Sequence, residues 1–447
     1  VPLRVSLLPF RLLLLLSLIH CACCDYIADF NAFFTNHAPN HSLALVRHAQ
    51  YSHGVIATAA IPADSLYTHI PTSLTLSPAT ATATPPFMDL IRSHLGTNSG
   101  ISAGSGGFTM LGLFLLYQRS LGTASPWAPY LATLPTSFHS LTSWSPIERR
   151  HLLVGFPRSV QLAKDIAEID ETGAALVARG LPFLTDVADW RWAASILNTR
   201  SIWWAPEGRH LVPMLDMVNC APGMRPHATR LSPDGAHADT RAPRTFAAGD
   251  EVLENYAQPN WVYLYYHGFV LDDNEWDCVE VTLRLPQQDA EVRAAVVAAL
   301  RAALGPSGAR DEATFCLAPT VVSDRRTPPS DEATLGLPRA LLYASLAHAT
   351  SPDEAATASG PLTVTGVRTV RTAVTSTLAA LSVPLPLIPP PVATTPPSAA
   401  PPPLYNPKRH ALASAFRSAT LDLLQQLMVE LDEYEQLMSD PPTHDEL

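Results

Sequence analysis

Three short blocks, in a fixed order, restrict what this chain can fold into more than any other feature. The first is the apolar run Leu211-Val212-Pro213-Met214-Leu215, which leads into Asp216-Met217-Val218-Asn219. The second is the turn Gly249-Asp250-Glu251, followed by Val252-Leu253-Glu254-Asn255-Tyr256, and the third is His267-Gly268-Phe269-Val270. Short apolar runs bounded by Gly and Pro read as strands joined by tight turns. The expectation is a region of short strands whose ends carry Asp216, Asn219 and Tyr256.

The flanking sequence supplies the rest of a fold. Residues 54–57 and 65–70 read as two further strands separated by the turn Ile61-Pro62-Ala63-Asp64, an opening hairpin. From 87 to 204 the pattern is helical, with Leu111, Phe114, Leu115 and Leu121 recurring at three- and four-residue steps. Trp127-Ala128-Pro129-Tyr130 and Trp144-Ser145 read as packing residues there, since large aromatics mainly carry buried area. The Gly104-Ser105-Gly106-Gly107 run has no lysine after it, which favours a flexible loop over a phosphate cradle. A strand over 279–283 is followed by alanine-rich helical stretches at 291–304, 337–349 and 364–381. Prolines then crowd 384–403 so densely that only an extended linker fits. Phe416, Leu424, Leu427, Leu431, Tyr434 and Met438 form one helical stripe, expected to pack back on its own domain rather than build a coiled coil.

In their order, the three blocks resemble the SET-domain protein methyltransferases, in particular the subclass typified by the Rubisco large-subunit methyltransferase. The resemblance implies an α+β fold: a SET domain of short twisted β-sheets with a helical insert, followed by a mainly α-helical C-terminal substrate-binding domain. It divides the chain into an N-terminal part of the SET domain at 40–86, a helical insert at 87–204, a C-terminal part at 205–276 and a helical domain at 277–438 that contains the linker. It also implies a threaded crossing near Asn219 and Tyr256, an exception to the usual avoidance of knots.

The cofactor implied by the resemblance is S-adenosyl-L-methionine, and the positions that match the family motifs are specific. Tyr256 stands where the family carries its catalytic tyrosine. Asn219, with Asp216 three residues before it, would hold the amino-acid portion of the cofactor. Cys220 replaces the usual His at a position whose backbone holds the adenine. Arg200 closes the run Trp192-Ala193-Ala194-Ser195-Ile196-Leu197-Asn198-Thr199-Arg200 and would pair fork-on-fork with the cofactor carboxylate. Gly54 would let backbone approach the cofactor, although Ser52 stands where many relatives have a second glycine. Ile202, Tyr266 and His267 would line the substrate channel. His267 has three open roles: a replacement for a channel phenol, a proton acceptor, or a space filler.

Methyl transfer from a sulfonium is a direct displacement, so it needs alignment and a neutral nucleophile rather than a metal. A lysine has a pKa of about 10.4, so presenting its neutral amine at pH 7 costs about 4–5 kcal/mol. The Tyr256 hydroxyl would orient that amine first and act as a base second. The apolar Ile202, Trp203 and Trp204 tilt the target toward lysine, with a protein histidine as the alternative. A competing class is a catalytically inactive SET-fold protein that binds clients, favoured by Cys220, Ser52 and His267. A thiol oxidoreductase using Cys220 ranks last, for want of a resolving cysteine nearby.

Composition narrows partners and compartment. With 447 residues and 47% apolar content there is ample material for two domains, and the net charge of −11 argues against nucleic acid and for a protein substrate. Arg4 and Arg11 precede an apolar run over residues 12–19 that ends in small residues, a signal peptide over 1–24 too short to span a bilayer. At the other end His444-Asp445-Glu446-Leu447 reads as a retrieval signal for an endoplasmic reticulum receptor. A lumenal monomer without a membrane span is expected, with Asn40-His41-Ser42 as a glycosylation acceptor. Removal of the leader leaves Cys220, Cys278 and Cys316 of the six cysteines, an odd set with no C-x-x-C spacing and no expected metal.

Overall fold

The computed structural model describes residues 25–39, 41–49, 52–96, 107–204, 208–226, 229–305, 310–320, 336–356, 362–386 and 405–439. The leader, Asn40, Gly104 to Gly106, most of the proline-rich segment and the C-terminal tetrapeptide lie outside them. Two compact units make up the chain.

The first unit comprises Val1–Ser137, Glu168–Cys220 and His227–Glu254. It opens with the helix Tyr26–His37, whose N-cap Asp25 accepts from the Ile27 amide and whose apolar face buries Ile27, Phe30, Phe33 and Phe34. Next comes an antiparallel hairpin, β1 (Leu43–His48) on β2 (Ser52–Ala57), in a register that sets Leu45 against Val55 and Val46 against Gly54. The opening hairpin is thus β1–β2, not the expected pairing of 54–57 with 65–70. The strand β3 (Leu66–Pro71) instead pairs with β8 (His237–Arg241), which also carries β7 (Arg230–Leu231). The reason is long-range: Ile61 and Phe246 exchange both backbone hydrogen bonds at 2.9 Å, so the 61–64 turn is held by residues far along the chain.

The apolar run after Leu211 also differs from the expected strand. Leu211 makes a single bridge, to Leu76, after which Pro213 offers no N–H and buried Met214 turns to φ 75°. A 3₁₀ turn over Leu215–Met217 follows and delivers β6 (Asn219–Cys220), which lies parallel to β9 (Leu253–Glu254). A two-stranded ribbon, β4 (Ile202–Trp204) on β5 (Gly208–His210), extends from the helix Val187–Arg200. The buried helix Phe108–Ser120 packs on that helix at Gly112, where a Cβ would come within 2.8 Å of the Trp190 ring.

The second unit comprises Phe138–Ala167, Ala221–Pro226 and Asn255–Leu447. Its sheet is an antiparallel pair, β10 (Val279–Arg284) on β11 (Glu312–Leu317), tied by a disulfide between Cys278 and Cys316. Five described helices, Ala290–Leu304, Gly336–Ala347, Pro352–Ala356, Val364–Leu381 and Pro407–Ser439, share one core with it. Leu424, Leu427 and Leu431 are fully buried there and Tyr434 and Met438 pack against them, so the C-terminal stripe does fold back on its own domain. Among the described residues no helix is long and apolar enough to cross a membrane, and no group of three or more His, Cys, Asp or Glu is placed to hold a metal.

Candidate active site

In the first unit the candidate residues gather around the β1–β2 hairpin and the turn before β6. Asn219 donates through Nδ2 to the His53 carbonyl at 3.0 Å and to Glu251 Oε1 at 2.8 Å. Both partners are pure acceptors, which fixes the amide orientation and leaves Asn219 Oδ1 as the atom available to a ligand. Glu251 also reaches His48 Nε2 at 3.5 Å. Gly54 sits beneath this carboxylate: a Cβ there would lie 2.8 Å from Glu251 Oε1 and 3.5 Å from Asn219 Nδ2. It is a strand residue, so the missing side chain serves close approach rather than a special dihedral. Glu251 therefore organises the cluster, a role no spacing in the sequence signals.

Two arginines border this region. Arg47 lies 5.2 Å over the Tyr26 ring, and Tyr26 Oη hydrogen-bonds His53 Nε2 at 2.9 Å. Burial, followed by the charges of Arg200 and Arg47, lowers the His53 pKa. Arg200, at the last turn of its helix, donates from Nη1 to the Asp216 carbonyl at 2.9 Å and lies 3.3 Å from Met217 Sδ. The Asp216 side chain has 0% exposure and accepts from Tyr130 Oη at 2.7 Å. Burial pushes its pKa up to about 6, against the pull of Arg200.

Cys220 is buried, pairs through its strand with Glu254, and takes no part in the disulfide. The Glu254 carboxyl accepts from the Tyr67 hydroxyl, and burial raises its pKa well above the usual carboxylate range. Ile202 is partly buried on β4 beside His210, but strand alternation turns Trp203 outward to 55% exposure while Trp204 stacks inward on His210. The expected continuous apolar wall is therefore split between two faces.

In the second unit Tyr256 stands among aromatic rings. Its centroid lies 5.6 Å from His267, 6.3 Å from Tyr263 and 6.4 Å from Phe269. Asn255 before it is fully buried and donates to Glu275 at 2.6 Å, anchoring the backbone from which the phenol projects. The rings are presented by a π-helical turn, Tyr263–His267, ended by Gly268 at φ 77°. Only glycine fits there, because a Cβ would come within 2.4 Å of the His139 backbone. Asn260 is buried and bonded to Leu271 and Asp277, a structural residue. Tyr266 packs on Tyr265 at 4.7 Å, within the cluster around Trp144 and Leu264. Phe269 completes the set around Tyr256; its place in the third block was visible, its orientation was not.

This architecture has the SET-domain fold, and it is similar to that of solved Rubisco LSMT structures. A structure of the SET domain of LSMT bound to lysine and AdoHcy superposes with a TM-score of 0.62 at 18% identity, covering 93% of each chain. One of Rubisco LSMT bound to AdoMet gives 0.61 at 18% identity, covering 92% of this chain and 93% of that one. Among curated proteins, the actin-histidine N-methyltransferase of Danio rerio is 27% identical over 257 residues, 53% of this chain and 40% of that protein. Protein SET DOMAIN GROUP 40 of Arabidopsis thaliana is 25% identical over 257 residues, 46% of this chain and 52% of that protein. The chain thus spans about half or less of the length of these relatives. No family model matches it.

Proposed function

We propose that the chain is an S-adenosyl-L-methionine-dependent protein methyltransferase acting on a lysine side chain of a protein in the endoplasmic reticulum lumen. One observation carries the reading: within a SET fold, Asn219 offers a single acceptor oxygen and Arg200 keeps its Nε and Nη2 donors without a hydrogen bond among the described residues. An acceptor and a guanidinium fork are what the ammonium and carboxylate of an amino-acid moiety require. Gly54 and Cys220 would complete the cofactor side.

When bound, S-adenosyl-L-methionine would supply a methyl on a sulfonium, the nitrogen–carbon bond forming as the carbon–sulfur bond breaks and sulfur keeps the electron pair. The Tyr256 hydroxyl accepts from the incoming amine and aims its lone pair, while the proton released leaves to solvent. Tyr263, His267 and Phe269 lie around that phenol with ring centroids between 5.6 and 6.4 Å from its own. The second reading, a histidine target, is favoured by the likeness to an actin-histidine N-methyltransferase. Lumenal residence is supported by the disulfide, which belongs in an oxidising compartment.

The test incubates the purified chain and a Tyr256→Phe variant with isotopically labelled cofactor and a lumenal extract, then locates the label by mass spectrometry. Label on lysine is expected, reduced about a hundredfold or more in the variant while cofactor binding persists. Label on histidine transfers the assignment to the second reading. A chain that neither binds the cofactor nor transfers label is a client-binding protein instead.

A further inference from the structure

Asp216 is matched by motif to a cofactor-contacting position, yet its carboxylate has no exposed surface. What it meets is protein. Tyr130, fully buried in the short helix Ala128–Leu131, donates to Oδ2 at 2.7 Å, and Arg200 Nη1 stands 3.8 Å from the same oxygen. Arg200 Nη1 is held again by the Asp216 main-chain carbonyl at 2.9 Å. One end of the guanidinium, Nη1, is therefore held by Asp216 and Met217, and Asp216 is held in turn by Tyr130.

We infer that Tyr130 and Asp216 form a buried positioning pair that sets the rotation of Arg200, so that its Nε–Nη2 edge receives the carboxylate of an amino-acid-bearing ligand. The inference rests on the reading of this site as one for S-adenosyl-L-methionine. A guanidinium is planar, so holding one edge determines where the other points. Burial and the Asp216 charge raise the Tyr130 pKa well above its ordinary value, which keeps the phenol a donor. The 3₁₀ turn makes the arrangement rigid: Met214 enters it with positive φ, and Asn219 leaves it three residues after Asp216. Carboxylate and ammonium recognition are thus set by one short segment.

Two ligands separate this role from a purely structural one. S-adenosylhomocysteine carries the amino-acid moiety, and 5′-methylthioadenosine lacks it. Calorimetric binding of both is measured for the full chain and for Tyr130→Phe, Asp216→Asn and Arg200→Ala, with circular dichroism confirming that each variant is folded. Tyr130→Phe and Asp216→Asn are expected to weaken S-adenosylhomocysteine about tenfold and to leave 5′-methylthioadenosine unchanged. Arg200→Ala is expected to bring the two ligands to similar affinity. Equal weakening of both ligands by Tyr130→Phe, or no weakening of either, overturns the positioning role while leaving the methyltransferase reading intact. An unmodified chain that binds neither ligand overturns that reading and the inference with it.

Discussion

Replacing Cys316 by serine should loosen the C-terminal unit by an amount that follows from the covalent loop alone. The disulfide joins residues 38 apart in sequence. In the chain-entropy account, a loop of that length removes about 13 cal/mol/K from the unfolded ensemble, or about 4 kcal/mol at 25 °C. Cys316 is the better site to alter because it lies on the exposed face of β11, so serine removes the cross-link with little loss of packing; Cys278 is buried. A chain of two units is not expected to unfold in one step, so a single melting temperature is a poor readout. Amide hydrogen exchange resolves the segment itself. Amides of β10 and β11 should exchange up to about a thousandfold faster in the variant, and those of the β1–β2 hairpin should not change. A peptide map without reductant should recover the Cys278–Cys316 pair from the unaltered protein. The reasoning is refuted if those amides shift by less than about tenfold, or if Cys220 is found in the bond.

Asp216→Asn tests burial. Burial lifts the Asp216 pKa to about 6 in the fold from its ordinary 3.8, so the folded chain binds its proton more tightly than the unfolded one. Stability from this group is present below about pH 4 and lost as pH rises to about 6, in all about 3 kcal/mol. The variant should therefore be more stable than the parent at pH 7, with the difference vanishing near pH 4, as read by urea unfolding; a less stable variant at pH 7 contradicts the argument. Gly54→Ala tests close approach: its Cβ meets Glu251 Oε1 at 2.8 Å, so a loss of about 1–3 kcal/mol and weaker cofactor binding are expected. Restored binding in Gly54→Ala combined with Glu251→Gln would point away from crowding at Oε1, because the two side chains are nearly the same size.

Much of the fold was readable because its cause is local. Helical spacing in Val364–Leu381 is carried by each turn of the chain, and observed and expected limits coincide there. The pairing of β3 was not readable, since its partner β8 lies more than a hundred residues away and neither strand carries a mark of the other. Proline at 213 was visible, yet the apolar run around it was read as a strand because hydrophobicity alone does not distinguish a ladder from a buried turn. At the site, Tyr256, Asn219 and Arg200 were named from their motifs. Tyr130 was read only as packing, because a phenol earns a polar role from the acceptor that the fold brings to it.

The sequence by itself determined the class of fold and the residues that the motifs single out, because motif order, helical period and residue type are properties of the linear chain. Only the tertiary structure decided which atoms of those residues remain open. Asn219 keeps its oxygen because His53 and Glu251 take its hydrogens, Arg200 keeps one edge because Asp216 holds the other, and Cys278 finds Cys316 because β10 lies beside β11. Each of these is a contact between segments distant in sequence, and hydrogen-bonding capacity is divided only when such segments meet.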